Sequence, residues 1–521
     1  MGQRPFDLRR TRLTVFEAFL RARRKAGGKK QIIEDHDRKP MTYDEIVRAS
    51  FALGGKLKAM SSPGERLGIL LPTGVGGAVV FLAVHAAGRT PAMLNFTAGA
   101  LNLKAACHQA DVKRILTARK FIEAGKLETL VEELSHFAEI VYLEDVRETL
   151  TLGDKLGALW KSFFPGAYAP KGDPDGEAVI LFTSGSFGTP RGAVLSHVNL
   201  VANVEQCYAH VDFDPNWVFF NPLPMFHCFG LTGGVLLPLF TGHKTFLYPS
   251  PLHFKEIVHL IGDTGANVMF ATDTFAMQYA RTSKKGELSS IKLMVLGAEK
   301  VKQETRDVFM RRFGLELLEG YGATEASPVV AVNIPGQNKH GSVGKMLPGM
   351  EWRLEEVPGI TEGAKLVIKG PNIMKGYLAA DGSGAIEAPP GGWHDTGDVV
   401  DVDEDGYVRI IGRVKRFANI GGEKVSLNAV EWYAQQVWPE NNHAAVSVAD
   451  SRKGERIVLF SDRQDAEPGP LIEWAHAQGA PEIAVPKKIV PVPQIPVLGT
   501  GKTDYQTLQR MAEQQHQQEA A

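Results

Sequence analysis

Ala178-Val179-Ile180-Leu181-Phe182 runs without a break into Thr183-Ser184-Gly185-Ser186-Phe187-Gly188-Thr189-Pro190-Arg191-Gly192. An unbroken apolar run bounded by turn residues reads as a buried strand. The hydroxyls and glycine amides that follow can form a nest of donors around a polyphosphate, and Arg191 supplies charge. No Gly-Lys-Ser/Thr closes the stretch, so it is not a Walker A loop. A Gly/Ser/Thr loop by itself is more often a plain surface turn. Its position directly after a buried strand, and the motifs that follow it in the chain, favour a binding loop.

Working outward from that stretch, Arg66–Pro72, Arg114–Thr117 and Glu139–Leu143 read as strands, with Gly76–Ala87 as an apolar helix between them. Downstream, Val218–Phe220, Lys244–Leu247, Asn267–Phe270 and Lys292–Leu296 continue the rhythm, with helices such as Thr274–Arg281 interposed. Strands alternating with helices predict an α/β fold whose mostly parallel sheets are covered by helices. From about Gly341 the texture changes to short β segments separated by Gly, Pro and Asp. Near Gly412–Lys415 it changes again, to a small α+β character. The expected organisation is an N-terminal part over 1–412 with a β-rich subdomain at about 341–412, a hinge at 413–416, and a C-terminal domain over 417–521.

The 521 residues are too many for one ordinary core and suit several structural units. With 58 basic against 59 acidic residues, no global charge excess points to nucleic acid. Three cysteines, Cys107, Cys207 and Cys228, cannot build a disulfide framework, and a reducing, cytoplasmic setting is expected. No apolar run reaches the roughly 18–20 residues that a membrane span needs, and no signal-peptide core follows the start. The first 30 residues carry ten basic and two acidic side chains, with Leu13, Phe16 and Leu20 at helical spacing. Such a helix either packs on its own domain with a solvated basic face or lies on an anionic membrane surface.

Six further motifs follow in order. They are Pro224-Met225-Phe226-His227-Cys228-Phe229-Gly230, Gly297-Ala298-Glu299, Tyr321-Gly322-Ala323-Thr324-Glu325, Trp393-His394-Asp395-Thr396-Gly397-Asp398, Gly412-Arg413 and Gly499-Thr500-Gly501-Lys502. Together with the 183–192 loop they resemble, over nearly the whole chain, the adenylate-forming superfamily of acyl-CoA synthetases, aryl-CoA ligases, luciferases and adenylation domains. Two departures stand out: Phe187 occupies a place where many members carry Thr, and Arg191 replaces the usual Lys. Arg keeps the charge and offers forked donors to phosphate.

The resemblance implies ATP as substrate, Mg²⁺ as cofactor, and formation of an acyl-adenylate with release of pyrophosphate. Two anions must meet for that bond to form, and two unit charges at about 4 Å interact by about 4 kcal/mol at an effective dielectric of 20. Lys502 matches the family lysine that bridges them. Glu325 matches the metal-contacting carboxylate and Thr324 the phosphate-contacting hydroxyl. The nucleotide would be held by Thr183, Ser184, Gly185, Ser186, Gly188, Thr189, Arg191 and Gly192 of the loop. Gly297, Ala298, Glu299, Glu319, Gly320, Tyr321, Gly322 and Ala323 would surround the adenine, with the Glu319 carboxylate accepting from its exocyclic amine. Asp398 would accept from the ribose hydroxyls, beside Ile410 and Arg413. His227 would gate and position rather than act as base. Lys415 would be the pivot that exchanges Lys502 for the thiol tunnel, formed by Gly421, Gly422 and His227.

The apolar wording of Pro222–Ala280 shows no obvious basic residue placed for a second carboxylate and no polar cluster for an amino-acid amine, which favours a fatty acid. The wording of 222–234, 248–253 and 415–427 looks closest to the acyl-[acyl-carrier-protein] synthetase half of a bifunctional enzyme that also reacylates lysophosphatidylethanolamine. No His-x-x-x-x-Asp acyltransferase motif precedes residue 183, so a stand-alone synthetase is expected. The acceptor would then be the phosphopantetheine of an acidic acyl carrier protein docking near Lys415, Arg416, Lys424, Lys487 and Lys488. An acyl-CoA synthetase is the nearest rival. A non-catalytic acyl- or nucleotide-binding regulator is the alternative of another class.

Overall fold

The computed structural model describes residues 4–184, 190–360, 362–420, 423–450, 454–478, 482–498 and 502–520. The chain divides into two compact units, residues 1–351 with 369–394, and residues 352–368 with 395–521.

In the first unit, the apolar run 178–182 is the middle of strand Glu177–Ser184. This strand lies in an eight-stranded sheet in which Thr90–Met93, Arg66–Ile69, Arg114–Thr117 and Glu139–Tyr142 continue in parallel on one side. On its other side Pro190–Ser196 returns antiparallel, setting Thr183 opposite Arg191. Glu177–Ser184 and Pro190–Ser196 are thus antiparallel neighbours in the sheet. Helix His197–His210 starts only after the return strand, capped by Ser196 and Asn199 in a reciprocal box.

Alternation of side chains across the pleat explains why the strand is apolar throughout. Val179 and Leu181 face the main core, whereas Ile180 joins Ala92, Ile115 and Val194 in a second cluster on the opposite face. The main core is shared with a nine-stranded sheet, through Phe219, Phe220, Phe246 and Val268. The predicted strands of that sheet are found to within a residue, at Val218–Asn221, Lys244–Leu247, Val268–Ala271 and Leu293–Leu296. Its six central strands run parallel, ending at Leu317–Gly322, where Val329–Val332 adds antiparallel.

The basic N-terminal helix, Val15–Ala26, opens on a Thr14/Glu17 capping box. Its apolar face is buried: Phe16 meets Phe51 edge-on at 5.6 Å, and Phe19 lies 5.2 Å from Tyr43. Arg21 pairs with Glu205 and Arg23 with Asp44. The face that a membrane would have to receive is thus already in the protein core, and the membrane-surface reading of this helix is corrected to a packed one. Among the described residues, no helix is long and apolar enough to cross a membrane. All three cysteines are buried and unbridged.

The second unit holds a four-stranded sheet of Glu351–Glu355, Ala364–Lys369, His394–Val402 and Val408–Arg413, counting the few end residues that fall in the first unit. It also holds a five-stranded sheet built on the long hairpin His443–Asp450 and Gly454–Ser461. Helices Leu427–Val437 and Pro468–Ala477 cover one face of that sheet, and Tyr505–Ala520 the other. The division differs from the expected break at 412. Gly359 lies against the Lys424 side chain, and Gly412 against Phe417, Ser426 and Asn428, so the four-stranded sheet groups with the C-terminal residues.

Candidate active site

In the first unit, Arg191 leaves the return strand with its guanidinium 3.5 Å over the Tyr377 ring. The Tyr377 hydroxyl donates to Oε1 of Glu325. Glu325 sits in a short 3-10 turn, Thr324–Ala326, that follows strand Leu317–Gly322. Its own carbonyl accepts from Met374 N at 2.8 Å. The eight-stranded and nine-stranded sheets thereby bring a cation, an aromatic ring and a carboxylate into one chain of contacts. Guanidinium stacked on an aromatic face is worth about 0.5–2 kcal/mol and fixes the plane of the fork. Gly192 N donates to Gln109 Oε1 at 2.7 Å, and Gln109 Nε2 donates to Leu378 O at 3.2 Å, so one buried amide braces both strands. A side chain at 192 would press within 2.9 Å of Leu378. Gly185, Ser186, Phe187, Gly188 and Thr189 lie outside the described residues, as does the side chain of Ser184.

At the neighbouring strand ends, Gly297 N bonds Ala271 O at 3.1 Å, and Ala298 adopts a left-handed φ of 73°. A non-glycine residue held there is strained and requires its surroundings to impose it. Glu299 caps helix Asp273–Thr282, accepting from Thr274 N at 2.7 Å and from Thr274 Oγ1 at 3.1 Å. Glu319 departs from its expected role as a partner for adenine. Its Oε1 accepts from Val301 N at 3.0 Å and pairs at 2.9 Å with Arg306, both side chains being buried. Burial pushes the Glu319 carboxyl up, and Arg306 opposes that shift. The group is therefore a structural pin between the 300–301 turn and the strand. Gly322 has no room for a side chain, since a Cβ would sit 2.3 Å from Pro328 O, and Ala323 N bonds that same oxygen at 2.9 Å. Gly320 and Tyr321 precede it on the strand.

His227 lies in a loop held by two buried polar side chains that the motifs do not reveal. Asn221 accepts from Leu223 N at 3.1 Å and donates to Gly230 O at 3.2 Å. Thr73 accepts from Met225 N at 2.9 Å and donates to Leu223 O at 3.1 Å. The surroundings are aromatic: Phe226 packs on His227 at 4.7 Å and on Phe96 at 4.9 Å, and Phe229 lies 5.5 Å from Phe270 and beside Gly297. Phe229 also opens a π-helical segment, Phe229–Leu236, a geometry that recurs at functional sites.

In the second unit, Asp398 and Arg413 face each other across adjacent strands, and Arg413 Nε donates to Asp398 Oδ1 at 2.7 Å. Thr396 Oγ1 accepts from Asp398 N at 3.0 Å while donating to Leu366 O at 2.8 Å, which fixes the turn. Ile410 lies on the Arg413 strand, opposite Val400. Lys415 is exposed in the turn Val414–Arg416. Arg416, expected as a docking cation, is instead half-buried and engaged within the unit. It pairs with Glu431 at 2.6 Å, donates to Ala445 O at 2.7 Å, and stacks 3.7 Å over Tyr505. Lys502 is exposed, and its carbonyl accepts from Leu498 N at 2.7 Å. Gly421, Gly422, Gly499, Thr500 and Gly501 lie outside the described residues.

Among the described residues, no three His, Cys, Asp or Glu side chains converge on one point. A divalent ion at Glu325 would thus take most of its ligands from phosphate oxygens and water, which is how Mg²⁺ is usually held. The single carboxylate fits that group.

Cation, tyrosine and carboxylate thus stand in one chain of contacts at the strand ends of a helix-covered α/β fold. The chain is a member of the AMP-binding enzyme family, whose model matches residues 19–378. It is 31% identical over 304 residues to the long-chain-fatty-acid–CoA ligase of Salmonella typhimurium, covering 55% of this chain and 53% of that protein. It is 31% identical over 343 residues to the probable 4-coumarate–CoA ligase 2 of Dictyostelium discoideum, covering 62% of this chain and 61% of that protein. The matched region therefore spans only somewhat more than half of these curated relatives. In fold, the crystal structure of ATP-bound MatB from Rhodopseudomonas palustris superposes with a TM-score of 0.80 at 24% identity, over 96% of this chain and 99% of that one.

Proposed function

We propose that this chain is an ATP-dependent fatty acid–thiol ligase that forms an acyl-adenylate and pyrophosphate and then passes the acyl group to a phosphopantetheine thiol. The contact chain from Arg191 through Tyr377 to Glu325 carries this reading. It sets a phosphate-binding cation beside a carboxylate suited to a phosphate-bound cation, next to the turn that bears Thr324. Mg²⁺ held by Glu325 would offset charge on the leaving pyrophosphate. Arg191 and the loop amides hold the β- and γ-phosphates, and Thr324 adds a hydroxyl. Asp398 holds the ribose once Arg413 turns toward the nucleotide. Lys502 screens the carboxylate from the α-phosphate as they bond.

The aromatic surroundings of His227 and Phe229 support an apolar acid. For the acceptor, the wording of residues 415–427 favours a carrier protein, whereas the relatives named as CoA ligases favour CoA. The pairing of Arg416 with Glu431 removes one cation from the carrier-docking face. Lys415 is the proposed pivot, with the thiol entering past His227 and residues 421–422. The test is pyrophosphate exchange dependent on a panel of fatty acids, followed by thioester formation with CoA and with holo-carrier protein. Acid-dependent exchange is expected. Its absence with every acid and with Mg²⁺ present would sink the assignment.

A further inference from the structure

Helix Leu152–Phe163 presents its apolar stripe to solvent instead of to the core. Leu152, Leu156 and Trp160 recur at i, i+4 and i+8, and Phe163, Phe164 and Tyr168 extend the stripe into the following turn. Leu152 is 73% exposed, Phe163 63% and Trp160 58%. Side chains of this size clustered at a surface mark a contact site. The opposite face, with Ala158 and Ser162, is buried, and the helix leans on Tyr43–Met60.

The charges are sorted by face. Asp154, the helix's one acidic residue, is turned inward: it pairs with Lys56 at 2.7 Å and accepts from Thr151 N and Oγ1 at the cap. Of the remaining charges on the helix, Lys155 is exposed beside the stripe, whereas Lys161 is half-buried on the Asp154 side. Arg23, on the basic first helix, reaches Ser162 O at 3.4 Å, which brings the turn of that helix bearing the exposed Arg24 to the same end. Trp160 Nε1 donates to Tyr168 Oη at 3.0 Å, which lets both amphipathic rings sit at a boundary between water and hydrocarbon.

We propose that this helix and the turn after it form the surface by which the protein docks on an anionic phospholipid bilayer, with the apolar stripe entering the headgroup boundary, and Lys155 and Arg24 meeting lipid phosphates. A second copy fits less well, because a two-fold contact through this stripe would set like charges against each other. The surface differs from the N-terminal helix, whose apolar side is buried, and binding here does not require ligase activity.

The test is flotation of the full chain with phosphatidylcholine vesicles, with and without phosphatidylglycerol, at low and moderate salt. Wild type is expected to float with the anionic vesicles, more at low salt. Trp160→Ser combined with Phe163→Ser is expected to lower partitioning by about tenfold or more. Lys155→Glu with Arg24→Glu is expected to remove the preference for anionic lipid. These positions are exposed, so acid-dependent pyrophosphate exchange with a short, freely soluble acid should be unchanged in both variants. Failure of wild type to float with either vesicle, or equal flotation of the serine variant, overturns the proposal. So does a concentration-dependent dimer that the serine variant abolishes without any vesicle binding.

Discussion

The guanidinium carbon of Arg191 lies over the ring of Tyr377, 3.5 Å from its centre, and the same tyrosine donates its hydroxyl to Glu325. One side chain therefore contacts both Arg191, proposed to hold phosphate, and Glu325, proposed to hold the metal. Tyr377→Phe keeps the stack and removes the hydrogen bond. A bond to a charged acceptor contributes about 1.5–3 kcal/mol, so pyrophosphate exchange should fall about tenfold, with the loss concentrated in the Mg²⁺ requirement. Arg191→Lys should separate the other half, keeping charge but losing the planar stack, with KM for ATP rising more than kcat falls. Unchanged Mg²⁺ dependence in Tyr377→Phe would refute the coupling.

Lys502→Ala is expected to lower adenylate formation by about 10²–10³, the range seen when a single preorganised charge-stabilising group is lost. Thioester formation from supplied acyl-adenylate should stay within a few-fold of wild type. The check is to assay the two half-reactions separately on one preparation. Equal loss in both would contradict the proposed division of labour.

Much of the architecture was legible because parallel strands buried on both faces must be apolar throughout. Lys244–Leu247 and Arg114–Thr117 stand where their apolar runs place them. The antiparallel pairing of Glu177–Ser184 with Pro190–Ser196 was not legible, since apolar runs carry no strand direction. Tyr377 was invisible for a related reason. It comes from a three-residue strand, Gly376–Leu378, that reaches the site only through long-range pairing with Pro190–Ser196. Asn221 did leave a signal, as a polar residue ending the apolar run Val218–Asn221, and its hydrogen bonds explain it. The family resemblance pointed to Glu319 and Arg416 but could not show the partners Arg306 and Glu431 that engage their charged groups.

Glu431→Ala should destabilise the second unit strongly. Glu431 Oε1 pairs with Arg416 and accepts from Ala445 N at 2.8 Å, and Oε2 accepts from Tyr505 Oη at 3.2 Å. Arg416 and Glu431 are half-buried, so leaving the hydrogen-bonded charge without its partner costs about 1–3 kcal/mol. Glu431→Gln, which keeps an acceptor oxygen, should lose less. Thermal unfolding of the full chain, read from Trp432 and Trp474 beside the network, checks the order. A Glu431→Ala midpoint within a degree of wild type would show that the clamp is not structural.

Acid should loosen the seat of the N-terminal helix. Val15 N donates to Nδ1 of His197 at 3.1 Å, which requires that nitrogen to be unprotonated, and the His85 ring lies 5.3 Å away. Burial holds His197 down to about 4 and also lowers His85. Burial likewise holds His243 down to about 4. Unfolded histidines take up protons near pH 6.5, so below that value the unfolded chain binds more protons than the folded one. Stability is then full above pH 6.5 and declines as pH falls toward 4, by up to about 1.4 kcal/mol per pH unit for each such histidine. Asp273 acts in the opposite sense: burial raises it to about 6, so the folded chain keeps a proton there that the unfolded chain has released. The histidine effect is therefore read as a difference between variants. Urea midpoints measured from pH 7.5 to pH 5 should fall less steeply for His197→Gln than for wild type, and parallel curves would exclude the mechanism.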